Sequence, residues 1–250
     1  MPMNVSEQQI QAEETVRAGL PRHIAIILDG NGRWAQARGL PRTAGHAAGA
    51  ETFRRIATYC RDIGVAYLTV YAFSTENWKR PQEEVSAIME LLGQYLHEAL
   101  EEMEKDNIKL KILGDKSILA PELQALIDET AKVSERYEGF QANICLNYGG
   151  RDEIVRAAMR YAEDYKAGRA GELTEEAFAG YMFSAGIPDP DLVIRPGGEM
   201  RLSNFLMWES AYSELYFTDV LWPDFSPEDI DAAVAEYARR DRRFGGVKLC

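Results

Sequence analysis

Six short runs of branched and aromatic residues alternate along this chain with stretches of helical apolar spacing, and that alternation limits its fold more than any other feature. The runs lie at 23–28, 67–73, 109–113, 142–146, 191–195 and 214–220. The intervening periods predict helices near 47–63, 83–106, 121–137, 151–167, 174–183 and 227–241. Parallel strands need long crossovers, and a helix is the usual one, so the pattern predicts an α/β fold with a mostly parallel central sheet of about six strands flanked by helices. There is no repeat, no low-complexity tract and no Pro/Gly/Ser linker. One domain over 21–250 is expected, with 1–20 as a mobile or peripheral tail.

Ligands in such sheets sit at the carboxyl ends of the strands. After the first run comes Asp29-Gly30-Asn31-Gly32-Arg33-Trp34. The glycines let backbone N–H groups approach an anion, and the arginine can fork onto phosphate oxygens. The acid beside them repels a phosphate unless a metal ion bridges the two, which points to a metal-bridged phosphate or diphosphate. Gly30-x-Gly32-x-x-Ala35 formally matches a dinucleotide fingerprint, but the fingerprint needs an acid at the end of the second strand about 20 residues on, and the second run here ends near Ser74-Thr75-Glu76, too far along. No GxxxxGK[ST] segment occurs.

The net charge of −12 gives no footprint for nucleic acid, so positive charge for an anionic substrate must be gathered locally. It is gathered in clusters. Arg42, Gly45 and His46 stand where a helix is expected to begin, offering N–H groups and charge. Ser74-Thr75-Glu76-Asn77-Trp78-Lys79-Arg80 follows the second run, and Arg195-Pro196-Gly197-Gly198 with Arg201, Leu202 and Ser203 follows the fifth. Glu214 opens the sixth run, either as a second carboxylate for a metal or as an ordinary acid. The 83–106 period carries a core stripe that Leu91 and Tyr95 widen, enough to line an apolar channel as well as a core. Cys60, Cys145 and Cys250 form no CxxC pair, Cys60 and Cys145 sit in apolar stretches, and a reducing cytoplasm is expected. Two anion sites, one metal and apolar surroundings suggest two phosphorylated hydrophobic substrates.

The segments HIAIILDGNGRWA, RxxGHxxG, YAFSTENWKRP, NYGGRDEI, IRxGGExRLSNFLxW and AYSELYFTDVLWPDF, in this order, closely resemble the cis-prenyltransferases. The resemblance runs from about His23 to Gly246. It implies condensation of isopentenyl diphosphate onto an allylic diphosphate such as farnesyl diphosphate, with new cis double bonds. It also implies magnesium, a homodimer, a hydrophobic tunnel between sheet and helices, and transient membrane contact for release of a lipid product. Carried over by motif, Asp29 is the essential acid and a magnesium ligand, with Glu214 as the second. Gly30, Asn31, Gly32, Arg33, Arg42 and His46 cradle the allylic diphosphate, with Trp34 beside it. Ser74, Thr75, Glu76, Asn77, Trp78 and Arg80 form the catalytic loop, Asn77 being the candidate for the proton step. Arg195, Arg201, Leu202 and Ser203 hold isopentenyl diphosphate, and Arg243 and Gly245 reach a dimer partner's site. Pro196 replaces the family's usual Thr, removing a donor and a hydroxyl, so rearranged isopentenyl diphosphate contacts are expected. Small Ala72 favours a long product. The rival readings are a phosphatase or dehydrogenase on the same glycine-rich segment, a shorter-chain synthase, and a non-catalytic lipid-binding subunit.

Overall fold

The computed structural model describes residues 19–240. Its six strands are β1 (His23–Ile27), β2 (Tyr67–Ser74), β3 (Lys109–Leu113), β4 (Gln141–Tyr148), β5 (Leu192–Arg195) and β6 (Glu214–Phe217). They form one sheet in the order β3-β4-β2-β1-β5-β6, and every pairing is parallel. The expected mostly parallel sheet is therefore parallel throughout. The last two strands are shorter than their apolar runs. Beyond them Gly197 N donates to Val220 O (2.8 Å) and Gly198 N to Thr218 O (2.9 Å), so the two glycines turn the backbone away from the ladder.

Seven helices accompany the strands among the described residues: α1 (Asn31–Ala37), α2 (Arg42–Asp62), α3 (Gln82–Asp106), α4 (Pro121–Ser134), α5 (Gly150–Lys166), α6 (Glu175–Ala179) and α7 (Pro227–Arg239). Successive strand residues point to opposite faces. Ile24 and Ile26, Leu68 and Val70, Ile144, and Leu192 and Ile194 join the larger core with residues of α2, α3, α4 and α7. Ala25, Ile27, Tyr71, Cys145 and Val193 join a smaller cluster capped by Phe205 and Leu206 from the β5–β6 connection. Both faces are covered, which explains why the strands read as continuous apolar runs. Cys60 and Cys145 are fully buried, and Trp222 lies in the core.

Several expectations need correction. The segment after β1 is not only a glycine-rich turn. Gly30, at φ 109°, starts α1 from a left-handed position. A Cβ there would crowd Leu221. The next helix begins at Arg42, directly after Pro41, so His46 lies in its second turn and has no free helix-terminal N–H to offer. Gly45 instead permits a close crossing, because its Cβ would stand 2.0 Å from Asn31 O in α1. The helix expected over 174–183 stops at Ala179, before Gly180. Leu20, placed in the expected tail, packs against the core.

The chain leaves β1 towards β2 and leaves β5 towards β6, in opposite directions. Strands β1 and β5 are neighbours, so their carboxyl ends form the switch point where α/β sheets place ligands.

Candidate active site

Asp29 and Arg195 stand at that switch point. Asp29 Oδ2 accepts from Arg195 Nη2 (2.9 Å), and Oδ1 from Arg33 Nη2 (3.1 Å). Arg33 Nη1 also donates to Gly197 O (2.6 Å), tying α1 to the turn after β5. Arg195, only 4 % exposed, donates to Ser203 Oγ (2.8 Å) and to the Arg201 carbonyl. Its Nε is buried and has no hydrogen-bond partner. Ser203 and Asn204 hold positive φ angles of 51° and 67°, an uncommon conformation outside glycine that marks a constrained turn.

These groups border an open cavity of about 610 Å³. Asp29, Gly30, Asn31, Gly32, Arg33, Arg42, His46, Ser74, Glu76, Asn77, Arg80, Arg195, Arg201 and Ser203 all line it. Four of the residues expected to bind substrate do not. Trp34 turns its Nε1 to Asp224 (2.6 Å) under the Arg38 guanidinium. Trp78 donates to Asn147 Oδ1 (2.8 Å) and packs edge-on against Phe73. Leu202 packs with the smaller core cluster, and Thr75 lies against Gly149.

Glu214 is not brought to Asp29. It pairs with Leu192 in the register, at the start of β5, whereas Asp29 lies beyond the end of β1, beside Arg195. Its carboxylate instead accepts from Arg240 (2.8 Å). Within one chain the joint Asp29–Glu214 metal site does not form, because parallel register sets the two acids at opposite ends of the sheet. Arg243 and Gly245 lie outside the described residues.

Two contributors went unassigned in the sequence. Glu84, 6 % exposed in the first turn of α3, accepts from Arg42 (2.9 Å), His46 (3.0 Å) and Arg80 (3.0 Å). Burial pushes its carboxyl up, but bonds from His46 and Arg42 and the arginine charges outweigh this and hold it below its ordinary value. Burial lowers His46 despite Glu84, favouring a neutral ring. As part of Glu83-Glu84 after a proline, Glu84 looks like a helix-start acid; only the two arginines and the histidine converging on it in space distinguish it. The other is Asn204, which lines the cavity, accepts from Gly150 N (2.7 Å) and Arg151 N (2.9 Å) and donates to Glu76 (3.2 Å). Its place directly after Ser203 in the motif was the available signal. Burial raises Glu76, but bonds from Ser74, Asn204 and Thr75 bring it below its usual value.

Behind the polar cavity lies an apolar one of about 100 Å³, bordered by α2, α3, β2 and β4. Leu28, Asn31, His46 and Ala72 line both. Leu91 and Tyr95 face it, so the widened stripe of α3 lines a cavity as well as a core.

The sequence and fold that build this charged mouth and apolar cleft are similar to those of known proteins. The family model described as "Putative undecaprenyl diphosphate synthase" matches residues 27–245. The chain belongs to this family of cis-prenyltransferases. An isoprenyl transferase of Clostridium perfringens is 48% identical over 231 residues, covering 92% of this chain and 91% of that protein. Among solved structures, lavandulyl diphosphate synthase from Lavandula x intermedia, in complex with dimethylallyl diphosphate, superimposes with a TM-score of 0.87 at 34% identity, over 91% of this chain and 99% of that one. A probable undecaprenyl diphosphate synthase from Campylobacter jejuni gives 0.76 at 34% identity, over 90% and 98%. The enzyme is thus a prenyl chain-elongating transferase, and the phosphatase, dehydrogenase and non-catalytic readings fall away. No helix among the described residues is long and apolar enough to cross a membrane.

Proposed function

We propose that this transferase adds isopentenyl diphosphate units to an allylic diphosphate such as farnesyl diphosphate, with magnesium, and releases a long cis-polyprenyl diphosphate of the undecaprenyl class, a lipid carrier precursor for cell-wall synthesis. The observation that carries this reading is that the arginine-rich cavity and the apolar one adjoin, sharing Leu28, Asn31, His46 and Ala72 as their common wall. An allylic diphosphate spanning the two has its charge in the mouth and its hydrocarbon in the cleft.

The donor set fits magnesium. Among the described residues no three His, Cys, Asp or Glu side chains gather into a cage; of the two carboxylates lining the mouth, Glu76 is taken up by Asn204, and Asp29 stands where diphosphate oxygens would complete a hard-oxygen shell. Bound there, the ion would offset charge on the departing diphosphate. The chain's own groups do the remaining work. Arg33, Arg42 and Arg80 on one side and Arg195 and Arg201 on the other hold two diphosphates with their charge neutralised, which lowers the barrier to breaking the allylic C–O bond. Asn77 Oδ1 accepts from Ser74 N (3.1 Å), so the group it offers the cavity is its NH₂, a donor. Asn77 then orients a diphosphate oxygen, and that oxygen takes the proton lost after the isopentenyl double bond attacks.

The large exposed side chains Val155 and Met159 on α5 suit the homodimer that the family resemblance implies, and transient membrane contact would serve release of the lipid. Incubation with radiolabelled isopentenyl diphosphate and farnesyl diphosphate, with and without EDTA, tests the reading. The expected result is a single long lipid series that EDTA abolishes. An EDTA-insensitive product removes the magnesium assignment, and a product that stays short removes the undecaprenyl one.

A further inference from the structure

On the sheet face away from the apolar cleft, two carboxyl groups are buried together. Glu153, in the first turn of α5, is 1 % exposed, and Glu209, in the β5–β6 connection, is 4 % exposed. Consecutive residues join them: Phe183 N donates to Glu153 Oε1 (2.7 Å), and Ser184 Oγ to Glu209 Oε1 (2.5 Å). Tyr148 OH donates to the other oxygen of Glu153. Glu209 Oε2 is buried with no hydrogen-bond partner. The groups facing the pair are Cys145 and Tyr148 from β4, Lys111 from β3, and Asp189 from the segment before β5. Lys111 is the one cation among them, and its Nζ donates to Ala185 O (2.9 Å).

A naked carboxylate oxygen in that place carries a desolvation penalty of several kcal/mol, on the order of that for a buried ion. Two such groups in one pocket cannot both ionise readily. We propose that Glu153 and Glu209 share one proton at neutral pH and that the singly protonated pair positions the 202–210 segment, and with it Ser203 and Asn204, against the first turn of α5. Both oxygens of Glu153 accept hydrogen bonds, so Glu153 is the carboxylate. Glu209, with its orphaned oxygen, holds the proton.

The link to the site is short. Asn204 docks on Gly150 N and Arg151 N at one end of the segment, and Glu209 docks on Ser184 beside Glu153 at the other. The first clasp meets the helical turn 150–153 directly, and the second reaches it through Phe183 beside Ser184, since Phe183 N holds Glu153. Loss of the shared proton sets two charges against each other across that turn and loosens the wall that carries Ser203. Burial is the first cause that raises Glu153, to about 7, and it raises Glu209 as well; the charge of either acid then opposes loss of the other's proton. The pair as a unit therefore loses its proton close to neutrality. The part of the proposal that concerns substrate rests on the second anion site holding isopentenyl diphosphate.

Glu209→Gln keeps the shape of the neutral acid and removes the titration. Three measurements on the full chain test the pair. Infrared difference spectra of the wild type between about pH 6 and about pH 8 should show loss of a buried carboxylic C=O band that E209Q lacks. Relative to E209Q, the wild type should lose unfolding stability as pH rises from 4.5 to about 7, because the unfolded chain releases its proton first. The KM for isopentenyl diphosphate should rise about fivefold or more over the same alkaline step in the wild type only, the lower end of site–site coupling, with kcat changing less. Absence of the carboxylic band, or identical pH profiles in both proteins, overturns the inference. The wild-type spectrum decides the matter even if E209Q fails to fold. A wild type that makes no prenyl product, yet shows the band and the stability difference, overturns the proposed substrate and leaves the proton-sharing pair standing.

Discussion

Arg195 sets the geometry of the site more than any other single side chain. Its guanidinium holds the Asp29 carboxylate, the Ser203 hydroxyl and the Arg201 carbonyl at once, from a position that is almost fully buried. A lysine has no planar fork, so Arg195→Lys keeps the charge and loses most of that convergence. We expect turnover to fall by roughly 10²-fold or more, the usual loss when one donor of such a clamp goes. Steady-state kinetics on a variant shown to be folded would check this; turnover within twofold of wild type would remove Arg195 from its central place. Asp29 and Arg195 were legible in the sequence because strand-end residues after apolar runs face the switch point in any parallel sheet. Glu84 was not, because acids after a proline are the common start of a helix. Glu214 was misplaced for a different reason: its partner depends on strand register, which no local pattern encodes.

Among the elements, the helices on the cleft face show where local reading works and where it stops. The expected core stripe of α3 does face the core, with Val85, Leu92, Leu96 and Met103 buried and Ile88, Met89, Ala99 and Leu100 partly buried against it, since 3.6-residue periodicity over 25 residues leaves little ambiguity. The seven-residue α1 escaped notice because glycines at 30 and 32 look like a turn, while tertiary contact with α2 through Gly45 sustains the helix. The α6 segment was overread, since Gly180 ends it after five residues. β2 meets α2 and α3 around the apolar cleft, and Ala72 of β2 lines both cavities. Three further carbons at this point take up much of the 100 Å³ behind the mouth. Ala72→Leu is expected to shorten the product by one or more isoprene units, each about five carbons, while the first condensation persists, because the added carbons fill cleft space that the growing hydrocarbon needs. Chromatography of the dephosphorylated lipids reads this directly, and an unchanged length distribution would mean that the growing chain does not pass Ala72.

At the scale of the whole molecule, two buried systems act on stability with opposite sign. His23 Nδ1 donates to Pro188 O (2.7 Å), and its Nε2 meets Thr69 Oγ1 (2.7 Å). Thr69 Oγ1 accepts from Asn143 (3.0 Å), which accepts in turn from Gln141 (2.8 Å), so the threonine hydrogen is available to Nε2 and the ring is held as the neutral Nδ1–H tautomer. Burial lowers His23 to about 4. Between 6.5 and about 4 the unfolded chain takes up a proton that the native ring refuses, so stability is lost as pH falls through that window, by about 3 kcal/mol in all. The Glu153–Glu209 pair does the reverse: the native state keeps a proton that the unfolded chain releases, so stability is lost as pH rises from 4.5 to about 7. Where the windows overlap, from 4.5 to 6.5, the two slopes are each one proton and cancel. What remains in the wild type there is the slope of His46, whose burial-lowered ring acts in the same sense as His23, so its unfolding free energy should rise only weakly with pH. Below that range, loss of the lowered carboxylates Glu76, Glu84 and Asp115 makes it fall. His23→Asn removes one slope and leaves the other, so its stability should decline steadily with rising pH across the overlap, whereas Glu209→Gln should gain stability over the same range. Denaturant titrations of the three proteins at a series of pH values would measure this, and parallel curves for all three would mean that neither buried system titrates with folding.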